Sequence, residues 1–223
     1  MAALNPRMTI GHATEDALDI HHIGEKPKRK YEVMQMLDRV GLSPAETFYN
    51  KYPHQLSGGQ RQRAVIGRAM ILEAKFIVAD EPVAMVDVSI RAQILDLMLS
   101  LKKELGLTYV FITHDLATAS YFCERIAIMY LGKIVEIGLR DEVFNSPKHP
   151  YTVALMSAIP VPDPKHKVRR LIPRGEIPSP INTPSGCRFH PRCPQVFETC
   201  PKEIPRMLST SPTRQVACHL FDK

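Results

Sequence analysis

The sequence predicts an α/β fold with a parallel sheet, from two short apolar runs and the helical stretch between them. KFIVAD (75–80) and LTYVFIT (107–113) are rich in aliphatic and aromatic residues, and the first ends in a carboxylate. Between them, residues 89–105 carry Ile90, Ile94, Leu97, Leu101 and Leu105 at helical spacing. Strand, helix, strand in this order is a βαβ unit, whose crossover makes the strands parallel. Both strands are expected to be buried, as strands of parallel sheets are.

The other elements follow in chain order. KRKYEVMQMLDRV (28–40) places Val33, Met36, Leu37 and Val40 at i, i+3, i+4 and i+7. Gly41 is its stop, and Pro44 follows soon after. The stretch after Ser57 predicts a helix from about Gly59 to Leu72. Ser89 is expected to cap the helix over 89–105 and Gly106 to end it. RIAIMYLGKIVEIG (125–138) reads as two strands turning at Leu131-Gly132. No internal repeat is present.

The chain is 44% hydrophobic and 23% charged over 223 residues, enough for one or two domains with a real core. No stretch reaches the roughly 18–20 uninterrupted apolar residues of a membrane span. The opening MAALNPRMTI lacks the apolar run of a signal peptide. These features point to the cytoplasm, where disulfides are disfavoured. The formal charge of +6 is uneven: from Leu139 to Lys223 there are 13 Lys+Arg against 7 Asp+Glu, and 14 of the 19 prolines lie there. A neutral, periodic body thus leads into a basic, proline-rich tail. Such a tail suits an anionic surface in general. It has no clustered aromatics to stack bases, so no nucleic-acid partner is expected, and the charge serves solubility.

Three patterns carry chemistry. Asp80-Glu81-Pro82 closes the first apolar run, and ligands of open α/β sheets bind at the carboxyl ends of strands. Two adjacent carboxylates there divide labour: one faces a metal ion, the other polarises a water for attack on phosphorus. Alone, such a pair is equally an acidic strand end. His114 follows the second run in ITHD, where it is placed to hydrogen-bond a phosphoryl oxygen, although a lone histidine is more commonly structural. Asp87 is a turn residue or the cap of the helix after it. Ser57-Gly58-Gly59-Gln60 opens a helix whose positive end suits an anion, with a glycine-rich N-cap as the plain alternative. The 223 residues contain no GxxxxGK[ST] loop, so a phosphate bound there has no cradle of its own in this chain.

LSGGQRQR, FIVADEP and ITHD, in that order, resemble the signature, Walker B and switch-histidine motifs of ABC-transporter ATPases. LNPRMT, YPHQLSGGQRQR, DVSIRAQILDLM, MYLGKIVEIG and HPYTVALMSAIPVPDP are similar to the oligopeptide/dipeptide importer subfamily, over residues 3–221. AMVD (84–87) departs from the SALD of many relatives. The resemblance implies a partial P-loop NTPase (ABC ATPase) core. Residues 1–73 would hold the end of the Q-loop region and a helical subdomain, 74–138 the Walker B half, and 139–223 an irregular cysteine-containing extension. It implies ATP and Mg2+ as ligands. Glu81 and His114 would be catalytic, Asp80 would face Mg2+, and Ser57, Gly58, Gly59, Gln60 and Asp87 would contact nucleotide. It implies a second ATPase subunit in a head-to-tail dimer, so that this signature covers ATP held by the partner's Walker A loop. Two transmembrane permease subunits and, indirectly, a peptide-binding protein complete the assembly on the inner face of the membrane. In relatives the Walker A loop precedes LNPRM, so a chain lacking that portion is expected.

Cys187, Cys193, Cys200 and Cys218 lie in the tail, while Cys123 stands apart as a small buried hydrophobe. The intervals lack the C-x2–4-C knuckle usual for structural zinc, and four thiolates from an irregular loop suit a [4Fe–4S] cluster at least as well. Zinc and free thiols stay open. GCRFHPRCPQVFETCP with VACHL also resembles the tail of peptide-importer ATPases, where such a cluster is implied. The tail from Pro173 to Pro212 is poor in periodic apolar residues, so its order is expected to depend on that metal. Two function classes result: a subunit coupling ATP hydrolysis to oligopeptide/dipeptide import, or a non-catalytic, truncated or split half-site carrying an Fe–S or zinc module. A DNA-associated ABC ATPase is set aside because no heptads flank the signature.

Overall fold

Thr9 accepts a hydrogen bond from His12 N–H at 3.3 Å and so caps the first helix, α1 (Ile10–Ile20), of this computed structural model. The structure describes residues 4–84, 86–159 and 175–222, in two compact units, residues 1–114 and 115–223.

In the first unit α1 is followed by α2 (Lys26–Arg39), α3 (Ala45–Tyr49) and α4 (Gly58–Met70). The periodic residues Val33 and Leu37 of α2 are fully buried, together with Ile10, Leu18, Val40 and Leu42. Each such side chain contributes about 1.5–3 kcal/mol by leaving water. Gly41 ends this stretch with φ +76, a conformation that favours glycine. Then come β1 (Phe76–Asp80), α5 (Val88–Leu105) and β2 (Thr108–Ile112). Gly106 closes α5 in the left-handed region, its N–H bonded to Lys102 C=O. The start of α5 differs from expectation. Asp87, not Ser89, is the N-cap residue, and its carbonyl accepts from Ile90 and Arg91 N–H at 3.0 and 2.8 Å. Ser89 therefore lies within the first turn.

β1 and β2 pair in parallel, in register from Phe76↔Thr108 to Asp80↔Ile112. The expected burial of both strands is not found. Phe76, Val78, Val110 and Ile112 are 57%, 58%, 44% and 46% exposed. The cause is the period of two: these residues share one face, and no described element covers it. Ala79, on the opposite face, is buried.

The second unit contains α6 (Leu116–Phe122), β3 (Arg125–Tyr130), β4 (Lys133–Leu139), α7 (Arg140–Asn145), α8 (Pro150–Ser157), β5 (Leu208–Ser209) and β6 (Gln215–Val216). β3 and β4 turn at Leu131 and Gly132, with φ +44 and +77, the left-handed pair that suits a tight hairpin. The strand order is β3-β4-β6-β5, and every pairing is antiparallel. The β3–β4 register shifts between Ile128↔Glu136 and Met129↔Ile134. Val135 is thus the extra residue of a bulge, and the parity change turns both Val135 and Glu136 inward.

The tail has more structure than its composition suggests. Phe189 is 1% exposed and packs in a core with Ile126, Ile128, Tyr130, Val135 and Val143. Its ring lies 5.2 Å from that of Tyr130 and 5.4 Å from that of Tyr151. The hydroxyls of Ser211 and Thr213 donate to the Glu142 carboxylate at 2.9 and 2.6 Å. The described part of the tail thus has one aromatic anchor, two short strands and local polar bonds of its own. Pro173, and the last five residues of HPYTVALMSAIPVPDP, lie outside the described residues.

Candidate functional site

At the carboxyl end of β1 the backbone turns through Glu81 at φ +47. A non-glycine residue held there costs on the order of 1–3 kcal/mol, and such strain gathers at functional sites. Glu81 N–H donates to Ile112 C=O at 2.9 Å, tying the turn to the end of β2. Its Oε1 then accepts from His114 N–H at 3.1 Å and lies 2.7 Å from His114 Nδ1. Facing an ionised carboxylate, Nδ1 carries the proton. The His114 side chain is 80% exposed and that of Glu81 35%. Asp80, the last residue of β1, is exposed beside them. The structure thus brings Glu81 and His114 into contact at a strand end that faces solvent. This arrangement can orient a water while a second carboxylate faces a cation.

The signature stretch is a capping box. Ser57 Oγ accepts from Gln60 N–H at 3.3 Å, and Gln60 Oε1 accepts from Ser57 N–H at 3.0 Å. Both side chains are engaged in starting α4, with Ser57 exposed and Gly58 half-buried at its tip. Gly59 is buried for a different reason: a Cβ there would stand 2.5 Å from Ile90 Cγ2. The first turns of α4 and α5 therefore interlock. That brings Asp87, exposed at the start of α5 with no side-chain capping bond, toward the signature. Arg63 reinforces the join by donating to Val40 C=O at 3.0 Å and to Gln93 Oε1 at 3.4 Å.

The four tail cysteines line one small cavity, of about 10 Å³, together with His149, Phe189, His190 and His219. That is room for about one water. Cys187 N–H donates to Cys200 C=O at 2.8 Å. Gly186, at φ +62, is required beside it, because a Cβ would stand 2.3 Å from Cys200 C=O. Burial, and then the neighbouring sulfurs, push the Cys218 thiol up to about 11. Burial likewise raises Cys187 and Cys193, so these three thiols hold their protons at neutral pH. As the thiols stand, no group of three or more His, Cys, Asp or Glu among the described residues is arranged to hold a metal ion. Cys123 is separate, half-buried at the end of α6 against the same core.

Sequence reasoning missed Glu136 and His149. Glu136 is completely buried, and its carboxylate accepts from Lys148 N–H at 3.0 and 3.1 Å and His149 N–H at 2.9 Å. The available signals were a carboxylate inside an apolar strand and a His-Pro pair opening a helix, with proline at the first helical position.

Known proteins share both halves of this arrangement. The family described as "ABC transporter" matches residues 2–84, and "Oligopeptide/dipeptide transporter, C-terminal region" matches residues 135–200. The dipeptide transport ATP-binding protein DppF of Haemophilus influenzae is 45% identical over 221 residues, covering 99% of this chain and 67% of its own length. The chain belongs to the ATP-binding proteins of oligopeptide/dipeptide ABC transporters. The oligopeptide transport ATP-binding protein AppF of Bacillus subtilis is 44% identical, again over 99% of this chain and 67% of its own. A Brucella ovis protein with a provisional peptide-import ATP-binding name is 48% identical, over 97% of this chain and 68% of its own. This member of the family thus spans about two thirds of the length of these relatives. Among solved structures, cbiO1 of Clostridium perfringens, part of the ABC transporter complex cbiONQ, superposes with a TM-score of 0.56 at 26% identity, over 64% of this chain and 55% of that one. The ABC ATPase fold, and with it ATP and Mg2+ as the ligands of the family, follow from these likenesses. Among the described residues no helix is long and apolar enough to cross a membrane.

Proposed function

We propose that this chain is the nucleotide-binding subunit of an oligopeptide or dipeptide importer and that it couples ATP hydrolysis to uptake. The observation that carries this reading is the Glu81–His114 pair at the carboxyl end of β1, on a chain whose relatives are named for peptide transport. Asp80 holds Mg2+ by its exposed carboxylate. Glu81 polarises the attacking water, and His114 keeps the Glu81 carboxylate aimed while offering its own ring to the γ-phosphate. Ser57, Gly58, Gly59 and Gln60 present the positive end of α4 to ATP seated on a second ATPase subunit, with Asp87 beside them. Since these 223 residues contain no GxxxxGK[ST] loop, the phosphate cradle of the composite site comes from outside them. In this reading residues 1–73 carry the signature, 74–138 the hydrolytic strand end and 139–223 the importer-specific extension. The assembly includes two transmembrane permease subunits, engaged from the cytoplasmic face, and a peptide-binding protein acting through them.

The four tail cysteines offer sulfur donors around one cavity, although as the thiols stand they are not arranged to hold a metal ion. Cys187, Cys193, Cys200 and Cys218 would hold a [4Fe–4S] cluster or zinc, after converging and losing their protons. A metal there supplies a structural cross-link, since peptide import needs no electron transfer. The test of the main reading is transport itself. Vesicles holding the complete importer should take up peptide with ATP, and replacement of this chain by its Glu81→Gln, His114→Ala double variant should abolish uptake while peptide binding persists. Uptake at the original rate would contradict it.

A further inference from the structure

Arg63 ties the signature helix to two others. Its Nη1 donates to Val40 C=O at 3.0 Å, and its Nη2 donates to Gln93 Oε1 at a longer 3.4 Å. Val40 is fully buried and is the C-cap of α2, where the last carbonyls have no partner within the helix. A cation there also meets the negative end of the α2 dipole. Gly41, at φ +76, lies against the same guanidinium: a Cβ on it would stand 2.8 Å from Nη1. The contacts with α5 fall in register. Gly59 and Arg63 are four apart on α4, and Ile90 and Gln93 are three apart on α5, so each pair shares a helix face. Gly59 packs on Ile90 at one turn, and Arg63 reaches Gln93 at the next.

A single contact lets a helix pivot. Two contacts one turn apart, with the end of α2 as a third support, fix both its direction and its rotation. The direction of α4 decides where the N–H groups of its first turn point, and the start of α5 carries Asp87. Arg63 itself lies six residues past Ser57, about 9 Å along the axis, so it acts through the helix backbone. We propose that Arg63 is a positioning residue: it aims α4 so that Ser57, Gly58 and the first amides of the helix meet the γ-phosphate of ATP seated on the second ATPase subunit. The inference rests on the proposed contact between the signature and that ATP.

The experiment follows ATP turnover by the assembled importer against ATP concentration, with wild type and four variants of this chain. Arg63→Met keeps the apolar stem and loses the donors. Arg63→Lys keeps the charge on a single donor group. Gly41→Asn tolerates the positive φ but pushes the guanidinium, the far end of a flexible side chain, off Val40. Ser57→Asp still caps the helix yet sets a like charge against the phosphate. Arg63→Met and Gly41→Asn should each raise the ATP concentration at half-maximal rate about tenfold, the worth of one hydrogen bond to a charged group. Arg63→Lys should fall between them and wild type. The maximal rate should stay nearly unchanged, because Glu81 and His114 are untouched. A purely structural role would instead shrink the active fraction, lowering the maximal rate at unchanged half-saturation. That result, or an unchanged curve in Arg63→Met, overturns the positioning role. Ser57→Asp separates the two levels. If it weakens the use of ATP while Arg63→Met does not, the positioning role alone falls. If it leaves the curve unchanged, the signature does not meet ATP and both fall.

Discussion

Gly59 illustrates how one residue serves two needs. The absent side chain keeps the start of α4 open, and the same absence lets Ile90 Cγ2 approach to where a Cβ would be. Ile90 is β-branched and cannot swing aside within a helix. Gly59→Ala should therefore destabilise the first unit by about 1–3 kcal/mol through overpacking, read as a lower urea midpoint at unchanged slope. His149 gives a prediction in pH. Burial lowers its pKa from 6.5 to about 4, so the unfolded chain binds a proton between those values that the folded chain refuses. Stability of the metal-free protein should be complete above pH 6.5 and fall as pH drops toward 4, by up to about 3 kcal/mol for the full shift. The His149→Leu variant should flatten that slope. Some of this was legible. Ser57 and Gln60 sit three apart, as a capping box requires, and Asp80, Glu81 and His114 follow apolar runs. The strained φ of Glu81 was not, because it depends on partners at the end of β2, some thirty residues on.

At the scale of elements, periodicity explains what was readable. α2, α4 and α5 are long enough to repeat their apolar spacing, and the β3–β4 hairpin has its turn residues. β5 and β6 have two residues each, too short for any alternation to register, and they form because β4 offers an edge to β6 and β6 offers one to β5. The β4 bulge was equally hidden, since one extra residue leaves no mark in composition. The burial of β1 and β2 was misjudged because an apolar run reports the need for cover, not its presence. Their exposed face is a row of apolar side chains on an edge-rich sheet, which favours self-association. Val78→Lys puts a charge in the middle of that row without disturbing a buried residue. Light scattering of the purified chain should report less association in this variant than in wild type, with thermal stability nearly unchanged.

At the scale of the whole molecule, the proposed ATP hydrolysis belongs to an assembly. The 223 residues supply a signature, a strand end with two carboxylates and a histidine, but no phosphate-cradling loop with its lysine. Most charge-assisted contacts to the β- and γ-phosphates are then missing. Calorimetric titration of the isolated chain with Mg·ATP should show binding far weaker than micromolar, and micromolar affinity would refute the composite site. Within the assembled importer the two carboxylates should separate by role. On the proposed roles, Asp80→Asn should weaken the hold on Mg2+, and added Mg2+ should restore part of its activity. Glu81→Gln keeps the shape and can keep the His114 contact but removes the charge proposed to orient water. The most direct measurement is single-turnover ATP hydrolysis by the assembled complex carrying Glu81→Gln. ATP should still bind while the hydrolytic step slows by about 10²–10⁴-fold; hydrolysis at close to the wild-type rate would rule out Glu81 as the group that activates water.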